Sequence, residues 1–279
     1  MNRFETSDGL SLAYLDGGAG LPLLCLPGLT RDASDFDDLA AAVGGSHRLI
    51  RLSPRGRGSS DRDPDYRNYA IPVEARDALE LLDHLGLDRA VIVGTSRGGL
   101  LAIVIAATAR DRLAGVLLND IGPEIAPEGL EAIMGYLGIA PAARDFDEAA
   151  AALRARMGPA FPDLAPERWR VLARRWFAQD PRGGLALTYD PRLRDAVEEN
   201  SAQPAADMWP LFDALDGLPV AVVRGVNSDI LSAETLAKMR TRRPDLIVAE
   251  VPGRGHVPFL DEPEALAALG TLLSRVEAE

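Results

Sequence analysis

The chain has 279 residues, 47% of them apolar, with 30 basic and 42 acidic side chains for a net charge of −12. That length can bury a large core, and the acidic balance argues against general binding to nucleic acid or an anionic membrane, since either would be repelled at long range. The single cysteine, Cys25, excludes an intrachain disulfide and a cysteine zinc cluster.

In chain order, Asp8-Gly9 is a turn signal. It is followed by the alternating Leu10-Ser11-Leu12-Ala13-Tyr14, so a hairpin opens the fold. The first six residues lack the apolar stretch of a signal peptide, and the longest strongly apolar run, residues 100–109, is too short to span a bilayer. A soluble, cytoplasmic protein is therefore expected. Residues 21–26 form a continuous apolar run, as in a strand buried on both faces, with Cys25 as a core residue. The run stops at Pro27-Gly28-Leu29-Thr30. Residues 48–52 predict a short strand, ending in the loop Ser53-Pro54-Arg55-Gly56-Arg57-Gly58-Ser59-Ser60. Residues 73–85 have a broad apolar face at helical spacing, closed by Gly86. Then come a strand over 90–93, the turn Gly94-Thr95-Ser96-Arg97-Gly98, an all-round apolar helix and a strand over 112–119.

From residue 123 to about 215 no strong strand run appears. Helices are expected over 127–137, 146–157, 166–179 and 191–200, with prolines opening or separating them. Strand and helix alternation resumes with strands over 219–224 and 246–251, a helix over 233–243 and a closing helix over 264–277. Alternation of this kind implies a mostly parallel sheet covered on both faces, with ligands bound beyond the C-terminal strand ends.

Strand, tight turn with a serine at its apex, then helix is the context in which Gly-x-Ser-x-Gly presents a nucleophile. A serine hydroxyl needs a base. His47 precedes a strand at the opposite end of the sheet, and His84 suits the C-terminal turn of a helix. His256 lies directly after the last strand, in Pro252-Gly253-Arg254-Gly255-His256, and is the expected base. The base needs an orienting acid. Asp229, a short loop after residues 219–224, is preferred; Asp120, directly after Asn119 at another strand end, is the second candidate. Asp213, Asp216 and Asp261 read as turn or cap residues. The amides of Arg97 and Leu29 are the expected donors to a developing oxyanion, because Pro27 has none and Gly28 allows a sharp turn.

Five stretches carry a resemblance that covers essentially the whole chain: Leu26-Pro27-Gly28-Leu29, residues 53–59, Gly94-Thr95-Ser96-Arg97-Gly98-Gly99, residues 224–229 and Gly255-His256. Their order resembles that of the α/β-hydrolase superfamily. The resemblance implies an α/β fold: an eight-stranded, mostly parallel sheet with helices on both faces, residues 1–122 and 216–279 forming the core and 123–215 inserted as an all-helical cap. It implies Ser96, Asp229 and His256 as triad, with Leu29 and Arg97 as oxyanion donors. The chain departs from the family's common pattern at Pro27, where many members have His, and at Arg97, where Met, Leu or Gln is usual. A serine nucleophile in place of aspartate argues against the dehalogenase and epoxide-hydrolase branches.

The expected chemistry is hydrolysis of a carboxylic ester or lactone through an acyl-enzyme on Ser96, with no metal and no cofactor. Two other readings stand beside it: a hydrolase of C–C bonds in keto-acids, and a non-catalytic small-ligand receptor. The expected partner is a small-molecule substrate, with no nucleic acid or membrane, and the chain is expected as a monomer or homodimer. Met134, Tyr136, Phe161, Trp169, Trp176, Phe177 and Val257 are candidates for the substrate pocket, although helical spacing suits the aromatics equally to a cap core. Arg168, Arg170, Arg174 and Arg175 crowd one cap helix; most read as a solvated face, and one of them, together with Arg97, could receive a substrate carboxylate.

Overall fold

The computed structural model describes residues 1–201 and 206–278. Residues 202–205 and 279, which fall within the expected cap and core ranges, lie outside it. The antiparallel hairpin β1 (Asn2–Glu5) and β2 (Ser11–Gly17) opens the chain. It is followed by β3 (Pro22–Leu26), α1 (Asp37–Val43), β4 (Arg48–Leu52), α2 (Ile71–His84), β5 (Ala90–Thr95), α3 (Arg97–Thr108) and β6 (Leu113–Asn119). The insertion carries α4 (Pro127–Met134), α5 (Phe146–Met157), α6 (Pro166–Trp176), β7 (Phe177–Gln179), β8 (Leu185–Leu187) and α7 (Leu193–Ser201). After it come α8 (Trp209–Asp213), β9 (Val220–Gly225), α9 (Ala233–Arg242), β10 (Ile247–Val251) and α10 (Pro263–Glu277).

Eight strands form one sheet in the order β1-β2-β4-β3-β5-β6-β9-β10. β2 pairs antiparallel with β1 and β4, and every other neighbour is parallel. The central strands β5, β6 and β9 are buried along their whole length, as their unbroken apolar runs require. One apolar layer lies between the sheet and α2, α3, α8 and α9; a second packs the other face against α1 and α10. Truncating any one of these fully buried leucines to alanine costs about 2–5 kcal/mol.

Two sequence expectations for the insertion change. It is not all-helical: β7 and β8 pair as a short antiparallel hairpin, and the helix expected over 166–179 stops at Trp176. The hairpin follows from the turn-forming stretch between the two strands, with Gly183 and Gly184 both at positive φ. Nor does the insertion run to residue 215 as a packing unit. Phe212 and Leu215 are fully buried in the main core, where α8 lies against α3, whereas Trp169, Trp176, Phe161 and Leu153 form an apolar cluster of their own.

Candidate active site

The turn after β5 is sharp enough to hold Ser96 at φ 50°, ψ −115°, a conformation rare for a residue with a side chain. The neighbouring glycines are there because there is no room for anything else. A Cβ on Gly98 would fall 1.9 Å from the Leu26 carbonyl oxygen, and one on Gly94 2.6 Å from the Gly98 backbone. The apolar helix that starts at Arg97 is buried through most of its length, which fixes its N-terminal amides beside Ser96.

His256 comes to Ser96 from the loop after β10. Its Nε2 stands 2.9 Å from Ser96 Oγ. Its Nδ1 stands 2.7 Å from Asp120 Oδ2. A carboxylate only accepts, so Nδ1 carries the hydrogen and Nε2 turns a lone pair toward the serine hydroxyl. Gly255 lets this loop run close under the insertion, since a Cβ there would meet Ala160 at 2.6 Å. Asn119 steadies the far side of the loop by donating to the Pro258 carbonyl at 2.9 Å.

The carboxylate bonded to His256 is therefore Asp120, and the placement expected for Asp229 is corrected. Asp120 directly follows β6, beside β5 in the sheet, is fully buried and takes a positive φ of 57°. That conformation is easier for Asp than for most residues. Its other contacts come from the Gly225 amide at 2.8 Å and the Ser228 hydroxyl at 2.6 Å, so the buried charge is met by three donors. In the loop after β9, Ser228 points inward and Asp229 is exposed, lining the cavity above without touching the histidine. Both aspartates lie between Ser96 and His256 in the chain, so chain order could not separate them. The usable signal was distance from the strand end. His47 bonds to Ser46, and His84 lies among the rings of Phe4 and Tyr14; neither takes part.

Leu29 lies in the turn after β3, and Arg97 opens α3 directly after Ser96. Gly28 packs against the Ser96 Cβ, and among the described residues neither the Leu29 nor the Arg97 amide donates to another group. The Arg97 side chain does not reach the cavity. It donates to both Glu74 oxygens, at 2.8 and 3.0 Å, and to the Tyr69 carbonyl at 2.9 Å. Glu74 also accepts from Arg57 at 2.8 Å, and Arg57 Nε donates to the Leu29 carbonyl at 2.8 Å. Burial alone would raise the Glu74 carboxyl; the two guanidiniums outweigh it and hold it at about 2. One buried carboxylate thus ties the Leu29 turn to the elbow through two arginines. The sequence marked the Arg55-Gly56-Arg57 stretch as a loop and as part of the family resemblance, but not for this role.

A cavity of about 230 Å³ lies over Ser96 and His256, between the strand ends and the insertion. Tyr136, Phe161, Trp176 and Val257 line it as expected. Met134 and Trp169 do not. Trp169 faces Phe161 edge-on inside the insertion's own apolar cluster, and Met134 packs beside Leu137 and Tyr189. Phe177 also packs on the insertion's cluster. Of the four α6 arginines, Arg170 and Arg174 are exposed as expected, and Arg168 and Arg175 are not. Arg168 holds Asp38 at 3.0 and 2.8 Å and Asp261 at 3.1 Å, and Arg175 holds Asp38 at 2.8 Å, which fastens the insertion to the core. Among the described residues no group of three or more His, Cys, Asp or Glu is arranged to hold a metal, and no helix is long and apolar enough to cross a membrane.

Residues 23–269 match the family model described as alpha/beta hydrolase family. A 3-hydroxybutyrate-oligomer hydrolase from Cupriavidus necator is 36% identical over 252 residues, 88% of this chain and 85% of that protein. A 2-(acetamidomethylene)succinate hydrolase from Mesorhizobium japonicum is 28% identical over 88% of this chain and 85% of its own length. The crystal structure of an alpha/beta hydrolase from Novosphingobium aromaticivorans superposes with a TM-score of 0.92 at 43% identity, covering 98% of this chain and 97% of that one.

Proposed function

Because the chain belongs to the α/β-hydrolase family, and is a hydrolase by that kinship, we propose that it cleaves carboxylic esters of small acids through an acyl-enzyme on Ser96. The observation that supports this best is the unbroken line Ser96 Oγ, His256 Nε2, His256 Nδ1, Asp120 Oδ2 beneath a cavity, with two uncommitted amides beside the serine. The name of the Cupriavidus relative, an oligomer hydrolase of a hydroxy acid, favours ester cleavage over C–C cleavage.

Ser96 Oγ attacks the substrate carbonyl as its proton passes to His256 Nε2, and Asp120 stabilises the imidazolium. The carbonyl oxygen, now negative, is met by the Leu29 and Arg97 amides. The C–O bond to the alcohol breaks, and the alcohol leaves with the proton from Nε2. Water then gives a proton to Nε2 and its oxygen to the acyl carbon. Collapse of the second tetrahedral species returns the proton to Ser96 and frees the acid.

The test is turnover of short aryl esters, with Ser96→Ala as blank, together with mass spectrometry of the protein quenched during turnover. Serine-dependent release and a mass increase on Ser96 equal to the acyl group are expected. Full activity in Ser96→Ala would overturn the assignment. A dienoic keto-acid cleaved in preference to every ester would move the reading to C–C hydrolysis.

A further inference from the structure

The cavity lining is far less acidic than the chain as a whole. In a protein of net charge −12, the cavity lining holds three guanidiniums, Arg31, Arg156 and Arg175, against two carboxylates, Asp35 and Asp229. Arg175 is spent on Asp38, outside the lining. Asp35 lies 4.0 Å from Arg31 Nε, accepts from Trp176 Nε1 at 3.2 Å, and is pushed by burial above the ordinary carboxylate range, so it offsets Arg31 weakly. Arg156, solvent-exposed and near the end of α5, has no carboxylate partner among the described residues. It rests over the Tyr136 ring, 4.7 Å from the centroid. Partial desolvation lowers its pKa and the charge of Arg31 adds to this, against an opposite pull from Tyr136.

Arg31 is also the last residue of the turn that carries Leu29. Its amide closes that turn on the Gly28 carbonyl at 3.1 Å, and its guanidinium stacks 3.5 Å above the Trp176 ring. A stacked guanidinium keeps its fork oriented, which suits a carboxylate. A group held there lies one short turn from the Ser96 side of the cavity.

We propose that Arg31 and Arg156 form a receptor for a substrate carboxylate, which makes the preferred substrates monoanionic esters of short diacids or hydroxy acids. This rests on the ester-hydrolase reading. It replaces Arg97, whose charge is consumed by Glu74, with two cavity-facing arginines that nothing in the sequence singled out. The cavity, smaller than the roughly 300–1,000 Å³ common for larger ligands, fits a short chain between serine and arginines.

Two matched pairs test it, one for each side of the ester bond. Mono-4-nitrophenyl glutarate is compared with 4-nitrophenyl valerate, and the 3-hydroxybutyrate dimer with its C-terminal amide, each corrected with Ser96→Ala. The wild type should favour the anionic member of at least one pair tenfold or more in kcat/KM, and added salt should shrink that ratio. Arg156→Ala and Arg31→Met should bring it close to one, Arg156→Lys should restore part of it, and Arg154→Ala, an exposed neighbour on the same helix, should keep it. A ratio of one or less in both pairs, or a ratio that survives Arg156→Ala, overturns the proposal. Glutarate-induced thermal stabilisation needs no turnover. If no ester is cleaved yet glutarate stabilises the wild type and not Arg156→Ala, the ester reading falls and the carboxylate site stands. If esters are cleaved without discrimination and glutarate does not stabilise, the carboxylate site falls alone.

Discussion

The sheet edge beneath the cavity and the inserted segment above it are built on different principles. Below, position is set by backbone: glycines that tolerate no Cβ, a serine at positive φ, and an aspartate met by three donors. Above, position is set by long side chains. Arg168 and Arg175 reach down to Asp38, while Arg156 reaches into the cavity unpaired among the described residues. The lower region is fit for chemistry that fails on displacements of about 1 Å. The upper region can change its specificity by exchanging exposed arginines without disturbing the fold.

If that division holds, substitutions below the cavity should erase catalysis and those above should redistribute it. The largest effect belongs to Ser96→Ala and His256→Ala, each expected to cost about 10⁴-fold or more in kcat with little change in melting temperature. Next is Glu74→Ala. It strands two guanidiniums, Arg57 fully buried, so a loss of about 3–5 kcal/mol in denaturant titration is expected. The folded-state carboxyl sits at about 2, below its ordinary 4.5. Its depressed value means that this stabilisation is complete above about pH 4.5 and is lost as the pH falls toward 2. The stability gap between wild type and Glu74→Gln should accordingly narrow over that window and stay constant from pH 6 to 8. A gap that widens on acidification would contradict the assignment. Arg168→Ala should cost only about 1 kcal/mol and raise KM more than it lowers kcat, because it loosens the insertion and leaves the strand ends alone. Smallest of all, native Cys25 should resist aromatic disulfide reagents, since burial pushes its thiol up to about 12; rapid labelling would mean that the layer holding it opens.

The same division explains what could be read from the sequence. Elements set by apolar runs and glycines were legible almost to the residue: β4 and α5 fall on their expected ranges, and the turns carrying Ser96 and His256 bring those two side chains together. Asp229 was misplaced because the loop after β9 can turn either of two neighbours inward, and the folded path puts Ser228 in that position. The β7–β8 hairpin escaped because its strands are three residues each: β7 fell at the end of an expected helix and β8 in a stretch given no element. Arg156 could not be told from Arg154, two positions earlier on the same helix, since both suit a surface. Trp169 and Met134 show the reverse, apolar residues that could equally line a cavity or fill a core and that fill the core.

The most direct test of the account compares two aspartates on one ester. With Ser96→Ala as blank, Asp120→Asn should lower kcat by about 10³–10⁴-fold, because it leaves the imidazole without the carboxylate that holds its tautomer. Asp229→Asn should retain activity within about tenfold, since its side chain lines the cavity and touches no member of the hydrogen-bonded line. The opposite ranking would mean that the acid serving His256 in solution is Asp229, and would contradict the site described above.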